Sequence, residues 1–215
     1  MSDNRLRITE IFYSLQGEAR TAGFPTVFVR LTGCPLRCQY CDTEYAFSGG
    51  DWMNFAEIFA EIKKYDTPYI TVTGGEPLAQ PGCLKLLKKL CDESYDVSLE
   101  TSGAIILKGV DERVNKVMDL KTPSSNECDK NLFENLQWMD KKDQIKFVIC
   151  NEQDYVWSKQ QIKAHDLQTK CEILFSPSNE QLSPAQLADW ILHDQLPVRF
   201  QVQLHKVLWG DQPGK

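Results

Sequence analysis

Strand-like apolar runs alternate with segments of helical spacing along most of this chain, and few fold classes accept that order. Residues 8–13 and 26–31 read as strands, Phe55, Ile58, Phe59 and Ile62 recur at helical spacing, and a β-branched run at 69–73 follows. Leu84, Leu86, Leu87 and Leu90 mark a second helix, and strands are expected at 97–100 and 114–120. A helix is expected near 131–139, a strand at 145–149, a helix around 155–165 and a strand at 172–175. Pro184 suits the first turn of a helix carrying Leu187, Trp190 and Ile191, and a last strand is expected over 198–204. This order predicts an α/β fold on a mainly parallel sheet. About six strands follow residue 41, too few for the complete eight-fold barrel. No repeat or linker divides the chain, so residues 1–215 are expected to form a single domain. Residues 43–53 and 122–130 read as loops, and the tail 210–215 as poorly ordered unless something anchors it.

Composition narrows the function classes. With 42% hydrophobic and 25% charged residues, the chain is neither disordered nor membrane-spanning by composition. No apolar run approaches the roughly 20 residues of a spanning helix. Residues 1–5 lack the apolar core of a signal peptide, so a cytoplasmic protein is expected. The formal net charge of -6, without any long Lys/Arg block, argues against a nucleic-acid partner.

The eight cysteines are distributed unevenly. Cys83, Cys91, Cys128, Cys150 and Cys171 are scattered, as buried thiols are. Cys34, Cys38 and Cys41 form a C-x3-C-x2-C cluster just after a strand, in a loop opened by Gly33. Three thiolates so spaced can hold three corners of a [4Fe-4S] cubane, leaving one iron open for a ligand such as S-adenosylmethionine (SAM). Zinc binding and ferredoxin-like electron transfer are the alternatives. Zinc asks for a further regular Cys or His pair, and His165, His193 and His205 are not paired that way. A ferredoxin asks for a nearby fourth cysteine, and the next is Cys83.

Tyr40 stands between the last two cysteines, and Gly74-Gly75-Glu76-Pro77 ends the strand at 69–73. With these two features the sequence resembles the radical SAM superfamily, whose signature is C-x3-C-x-aromatic-C. That resemblance implies a partial (β/α)6 TIM-like barrel, with a [4Fe-4S] cluster on Cys34, Cys38 and Cys41. It also implies Tyr40 beside the SAM adenine and the glycine turn at the SAM amino group.

Residues 12–18, Arg30, Cys41-Asp42-Thr43 and Gln203-Leu204-His205-Lys206 further resemble the 7-carboxy-7-deazaguanine synthase family, from Ile11 to Trp209. Independently of the family, Arg30 can pair with a carboxylate by a two-point contact, Gln16 offers an amide, and Glu18 accepts from N–H groups. The resemblance implies ring contraction of 6-carboxy-5,6,7,8-tetrahydropterin, with ammonia released, in queuosine biosynthesis. It assigns Leu15, Gln16, Gly17, Glu18, Arg30, Thr73, His205 and Pro213 to the substrate, although Gly214 and Lys215 follow Pro213 here. SAM contacts are expected from Gly75, Ser102, Lys121, Thr122, Pro123, Ser176, Pro177, Ser178 and Asn179. Thr43 is expected to help hold Mg2+; without the resemblance it reads equally well as a loop hydrogen bonder. Members use an electron donor such as flavodoxin and are commonly homodimers. Another small radical SAM enzyme, such as a glycyl-radical activating protein, is the alternative function.

Overall fold

In a computed structural model, which describes residues 4–179, 181–210, 212 and 214, the first strand, β1 (Arg5–Leu15), pairs antiparallel with β2 (Pro25–Leu31). It also pairs with the short β3 (Asp51–Asn54), which overlaps the end of the stretch 43–53 expected to be loop. From β2 onward the sheet is parallel, through β4 (Tyr69–Gly74), β5 (Asp96–Thr101), β6 (Asn115–Asp119), β7 (Gln144–Ile149), β8 (Glu172–Pro177) and β9 (Arg199–Phe200). The order is β3-β1-β2-β4-β5-β6-β7-β8-β9. β2 and β4 to β8 supply the six parallel strands of the partial TIM-like barrel, and β9 adds two residues to one edge.

Helices cover the outer face because apolar side chains there recur at their spacing. α1 (Phe55–Ile62) starts in a reciprocal cap: Asn54 Oδ1 accepts from the Glu57 amide at 3.1 Å, and Glu57 Oε2 accepts from the Asn54 amide at 2.6 Å. α2 (Cys83–Asp92) buries Leu86, Leu87 and Leu90 completely against β2, β4 and β5. Emptying any one of these positions to alanine costs about 2–5 kcal/mol. α3 (Glu152–Ala164), α4 (Leu167–Lys170) and α5 (Pro184–His193) close a second apolar cluster over Ile145, Phe147, Ile149, Ile173 and Phe175. Pro184 occupies the first turn of α5, as its position in the sequence requires.

Two expected elements differ. Residues 131–139 form 3-10 turns rather than an α-helix, because their asparagines serve other backbone. Asn131 brackets both the amide and the carbonyl of Lys121 at 2.8 Å, and Asn135 binds the Leu107 amide and the Gly103 and Ile105 carbonyls at 2.9 Å each. The final strand stops at Phe200 instead of reaching residue 204. Gln201 Oε1 turns aside to accept from the Ala19 amide at 2.9 Å, and α6 (Leu204–Trp209) begins where the Leu204 amide meets the Gly17 carbonyl at 3.1 Å. That diversion brings residues 201–206 over the C-terminal ends of the strands. Pro213 lies outside the described residues. Among the described residues no helix is long and apolar enough to cross a membrane.

Candidate functional site

The inner face of the sheet ends in one cavity of about 500 Å³, at the mouth where the parallel strands terminate. Register decides what points into it. Arg30 pairs with Thr73 across β2 and β4, and Asp119 with Lys146 across β6 and β7. Val97 and Leu99 of β5 face the helices, which leaves Ser98 and Glu100 for the inner side.

The cysteine loop forms one wall. Gly33, at φ 100°, takes the chain out of β2, and its carbonyl accepts the Glu76 amide at 2.8 Å. Arg37 closes the loop: its guanidinium donates to the carbonyls of Cys34 at 2.8 Å and Leu36 at 2.6 Å and lies over the Phe47 ring. Gly75 lets the β4 turn press on this loop, since a Cβ there would lie 2.3 Å from the Gly33 carbonyl oxygen and 2.7 Å from Cys34 Cβ.

Cys34, Cys38 and Cys41 are free thiols that all line the cavity. Burial raises all three pKa values, pushing Cys38 up to about 11, while the Lys121 ammonium works in the opposite direction. Among the described residues no three Cys, His, Asp or Glu side chains converge tightly enough for a single ion. Three thiols spread along one wall beside a cation suit the corners of a [4Fe-4S] cluster better than a zinc site.

Glu76 of the glycine turn does not face the cavity. Its buried carboxylate accepts from the Ser102 amide at 2.7 Å, the Ser102 hydroxyl at 2.5 Å, Thr101 Oγ1 at 2.9 Å and the Leu78 amide at 3.0 Å. It ties the end of β4 to the end of β5, and what the turn offers a ligand is its glycine backbone. Ser102 lines the cavity with its hydroxyl proton committed to Glu76.

Tyr40, Gly75, Lys121, Ser178 and Asn179 also line the cavity. Thr122, Pro123, Ser176 and Pro177 do not: Thr122 is fully buried with its hydroxyl on the Val148 carbonyl at 2.9 Å, and Ser176 and Pro177 are buried in β8. These four support the loops that carry their neighbours. The Lys121 ammonium lies 3.0 Å from Asp119 Oδ2 and 6.0 Å from the centre of the Tyr40 ring. Burial opposes its charge, but Asp119 and the other groups around it outweigh burial and raise its pKa. Asp119 Oδ1 is buried without a hydrogen-bond partner among the described residues, so it can accept from a ligand.

Leu15, Gln16, Gly17, Glu18, Arg30, Thr73 and His205 gather at the same cavity. Gln16 is held rigidly: Nε2 donates to Thr71 Oγ1 at 3.0 Å and Glu100 Oε1 at 3.3 Å, and Oε1 accepts the Glu18 amide at 3.2 Å. Arg30 Nε donates to Glu10 Oε1 at 2.7 Å, and the guanidinium lies over the rings of Phe12 and Tyr45. Glu18 Oε2 pairs with Lys146 at 3.0 Å. His205 packs on Gly17 so closely that a Cβ there would lie 2.7 Å from its Nδ1. Burial lowers the His205 pKa and favours the neutral ring. Thr43 lines the cavity and donates to Asp42 Oδ1 at 2.7 Å, which leaves its oxygen lone pairs available. Gln203 reaches Asp42 Oδ2 at 3.2 Å and joins the C-terminal segment to the cysteine loop.

Sequence reasoning passed over Glu100, Asp119 and Lys146, and named Asp42 and Gln203 only within the family resemblance without giving them a role; all five line the cavity. A usable signal existed for three of them. Glu100 is the last residue but one of β5, Asp119 ends β6, and Lys146 interrupts Ile145 and Phe147. A charge inside a parallel strand needs a partner or a ligand.

Comparison with known proteins places the chain among relatives. A model of the radical SAM superfamily matches residues 28–125. A 7-carboxy-7-deazaguanine synthase of Chlorobaculum tepidum is 45% identical over 208 residues, covering 95% of this chain and 94% of the relative. One from Koribacter versatilis is 41% identical, covering 95% and 97%. Among solved structures, QueE from Escherichia coli superposes with a TM-score of 0.78 at 21% identity, covering 94% of this chain and 95% of that one. Streptococcus suis SuiB bound to S-adenosylmethionine shares the fold with a TM-score of 0.55 at 13% identity, covering 80% of this chain and 45% of SuiB.

Proposed function

Because the chain belongs to the 7-carboxy-7-deazaguanine synthase family of the radical SAM superfamily, we propose that it contracts the ring of 6-carboxy-5,6,7,8-tetrahydropterin to 7-carboxy-7-deazaguanine. Ammonia is released, and the product feeds queuosine and related 7-deazapurine biosynthesis; the enzyme is a radical SAM lyase. The observation that carries this reading is the single cavity lined both by Cys34, Cys38 and Cys41 and by Gln16, Glu18, Arg30, Thr73 and His205. In this reading residues 1–215 act as one radical SAM domain with a short N-terminal substrate-binding segment.

Cys34, Cys38 and Cys41 would hold a [4Fe-4S] cluster, whose chemistry would be one-electron reduction of SAM to give a hydrogen-abstracting radical. The chain's own residues then bind, orient and enclose. The glycine backbone at 74–75, Lys121, Ser178 and Asn179 border the SAM side, with Tyr40 and Ser102 beside them. Arg30, steadied by Glu10 and two rings, takes the substrate carboxylate. Gln16 and Glu18 are fixed in orientation before a pterin edge arrives, which lowers the cost of ordering them. His205 and residues 201–206 roof the cavity, keeping water from a reactive intermediate. Thr43 would offer its hydroxyl oxygen to Mg2+, with substrate and water supplying the other oxygens. A small donor such as flavodoxin would supply the reducing electron, and in this reading the enzyme works in the cytoplasm as a homodimer.

The test is turnover. Anaerobically reconstituted protein given 6-carboxytetrahydropterin, SAM, Mg2+ and a reductant should form 7-carboxy-7-deazaguanine with one ammonia per product and without net loss of SAM. SAM cleavage with no pterin conversion would refute the reading and favour a protein-activating role.

A further inference from the structure

We propose that Glu100 is a catalytic residue of this cavity, exchanging a proton with the substrate during the loss of ammonia; this rests on the synthase reading above. The charges at the cavity floor single it out. Lys121 is committed to Asp119 at 3.0 Å, Lys146 to Glu18 at 3.0 Å, and Arg30 to Glu10 at 2.7 Å. Among the described residues no ion pair reaches Glu100. Its partners are neutral: Thr73 Oγ1 donates to Oε2 at 3.0 Å, and Gln16 Nε2 donates to Oε1 at a long 3.3 Å. Both partners line the cavity with it. A carboxyl group at the centre of a nine-stranded sheet, without a counter-ion, is costly unless it is used.

Its surroundings act in both directions, with a net rise of its pKa. Burial raises its pKa, and the Glu18 carboxylate beyond β1 adds to that. Lys146 on β7, the Thr73 hydroxyl on β4 and Arg30 on β2 work in the opposite direction. A group so placed can take up a proton and return it, which is what the end of the proposed reaction requires. In one elimination a ring C–H bond breaks with its proton going to the Glu100 carboxylate, its electron pair forms the ring double bond, and the C–N bond on the adjacent carbon breaks with its pair on nitrogen. The Glu100 carboxylic acid then delivers the proton with which ammonia leaves. The residue ends as it began, and no outside oxidant or reductant enters these two steps.

Glu100→Gln keeps the shape and a hydrogen-bonding oxygen but cannot shuttle a proton. Wild-type protein must first convert the pterin; if it does not, the synthase reading fails and this assignment falls with it. With wild-type turnover secured, the variant should retain its iron and bind substrate within about threefold in calorimetry without reductant. Its ammonia release should fall by about 10²–10⁴-fold, the range of a general acid–base group, while an isomer still carrying the nitrogen accumulates. Undiminished ammonia release, or a loss fully explained by weaker substrate binding, overturns the proposal. The pH dependence gives a second, independent readout. Carboxylate is needed first, so kcat falls as pH drops through the Glu100 pKa. Thr73→Val removes a donor that favours the carboxylate and should move that acidic limb to higher pH; a limb that stays in place overturns the assignment.

Discussion

The cysteine wall of the cavity comes from eight consecutive residues, 34–41, whereas the substrate wall collects Gln16, Arg30, Thr73, Glu100, Lys146 and His205 from six places along the chain. The first wall is held through its own backbone carbonyls: the Arg37 guanidinium closes on those of Cys34 and Leu36, and that of Gly33 accepts the Glu76 amide. The second is held by side chains bonding across strands, Gln16 to Glu100, Thr73 to Glu100 and Lys146 to Glu18. A locally built wall should fail completely when one ligand is lost. A wall assembled across strands should lose function in portions, because each strand stays fixed by the sheet.

The largest effect is therefore expected at the cysteines. Cys34→Ala, Cys38→Ala or Cys41→Ala should each abolish turnover and deplete the roughly four irons of a reconstituted cluster, while Cys83→Ala keeps both. Iron analysis and a product assay check this, and full activity in any of the three would remove that residue from the ligand set. Next is Gly75→Ala, whose new methyl group would push against the Gly33 carbonyl and Cys34. Overpacking of this kind costs about 1–3 kcal/mol, and here it should appear as poor iron retention in a folded chain. Normal iron content would show that the turn and the loop move apart freely.

On the substrate wall, Arg30→Ala should weaken binding by about 2–5 kcal/mol, or roughly 30-fold to several thousand-fold in KM, with SAM binding nearly unchanged. An unchanged KM would take the carboxylate contact away from Arg30. The smallest effect is expected from Thr43→Val, which deletes one oxygen of an octahedral site. It should weaken activation in a Mg2+ titration and leave iron content intact. Superimposable titrations of variant and wild type would make Thr43 a loop residue only.

The same contrast explains what could be read in the sequence. The cysteine triplet and the glycine turn are short-range patterns, and strands such as 69–73 and helices such as the one carrying Leu86, Leu87 and Leu90 follow from periodicity. Residues 131–139 have helical-looking apolar spacing, but Asn131 and Asn135 satisfy distant backbone, and that use is invisible until the loops are placed. The strand expected to reach residue 204 stops because Gln201 and Gln203 find partners in residues 17–19 and at Asp42. Gln16, Arg30 and His205 were legible through family resemblance. Glu100 and Lys146 carried a local signal, a charge within an apolar strand, but their meeting at one site was not legible, since it is set by register across four strands of the sheet, from β4 to β7.

The central claim is that the two walls serve one reacting carbon. Turnover of 6-carboxytetrahydropterin carrying deuterium at C6, followed by mass analysis of the recovered SAM, tests it most directly. The account predicts deuterium in the SAM pool, accumulating as product forms, because the radical generated at the cysteine wall takes its hydrogen from the substrate held at the other. Product formation with SAM left unlabelled and the deuterium released to solvent would contradict it.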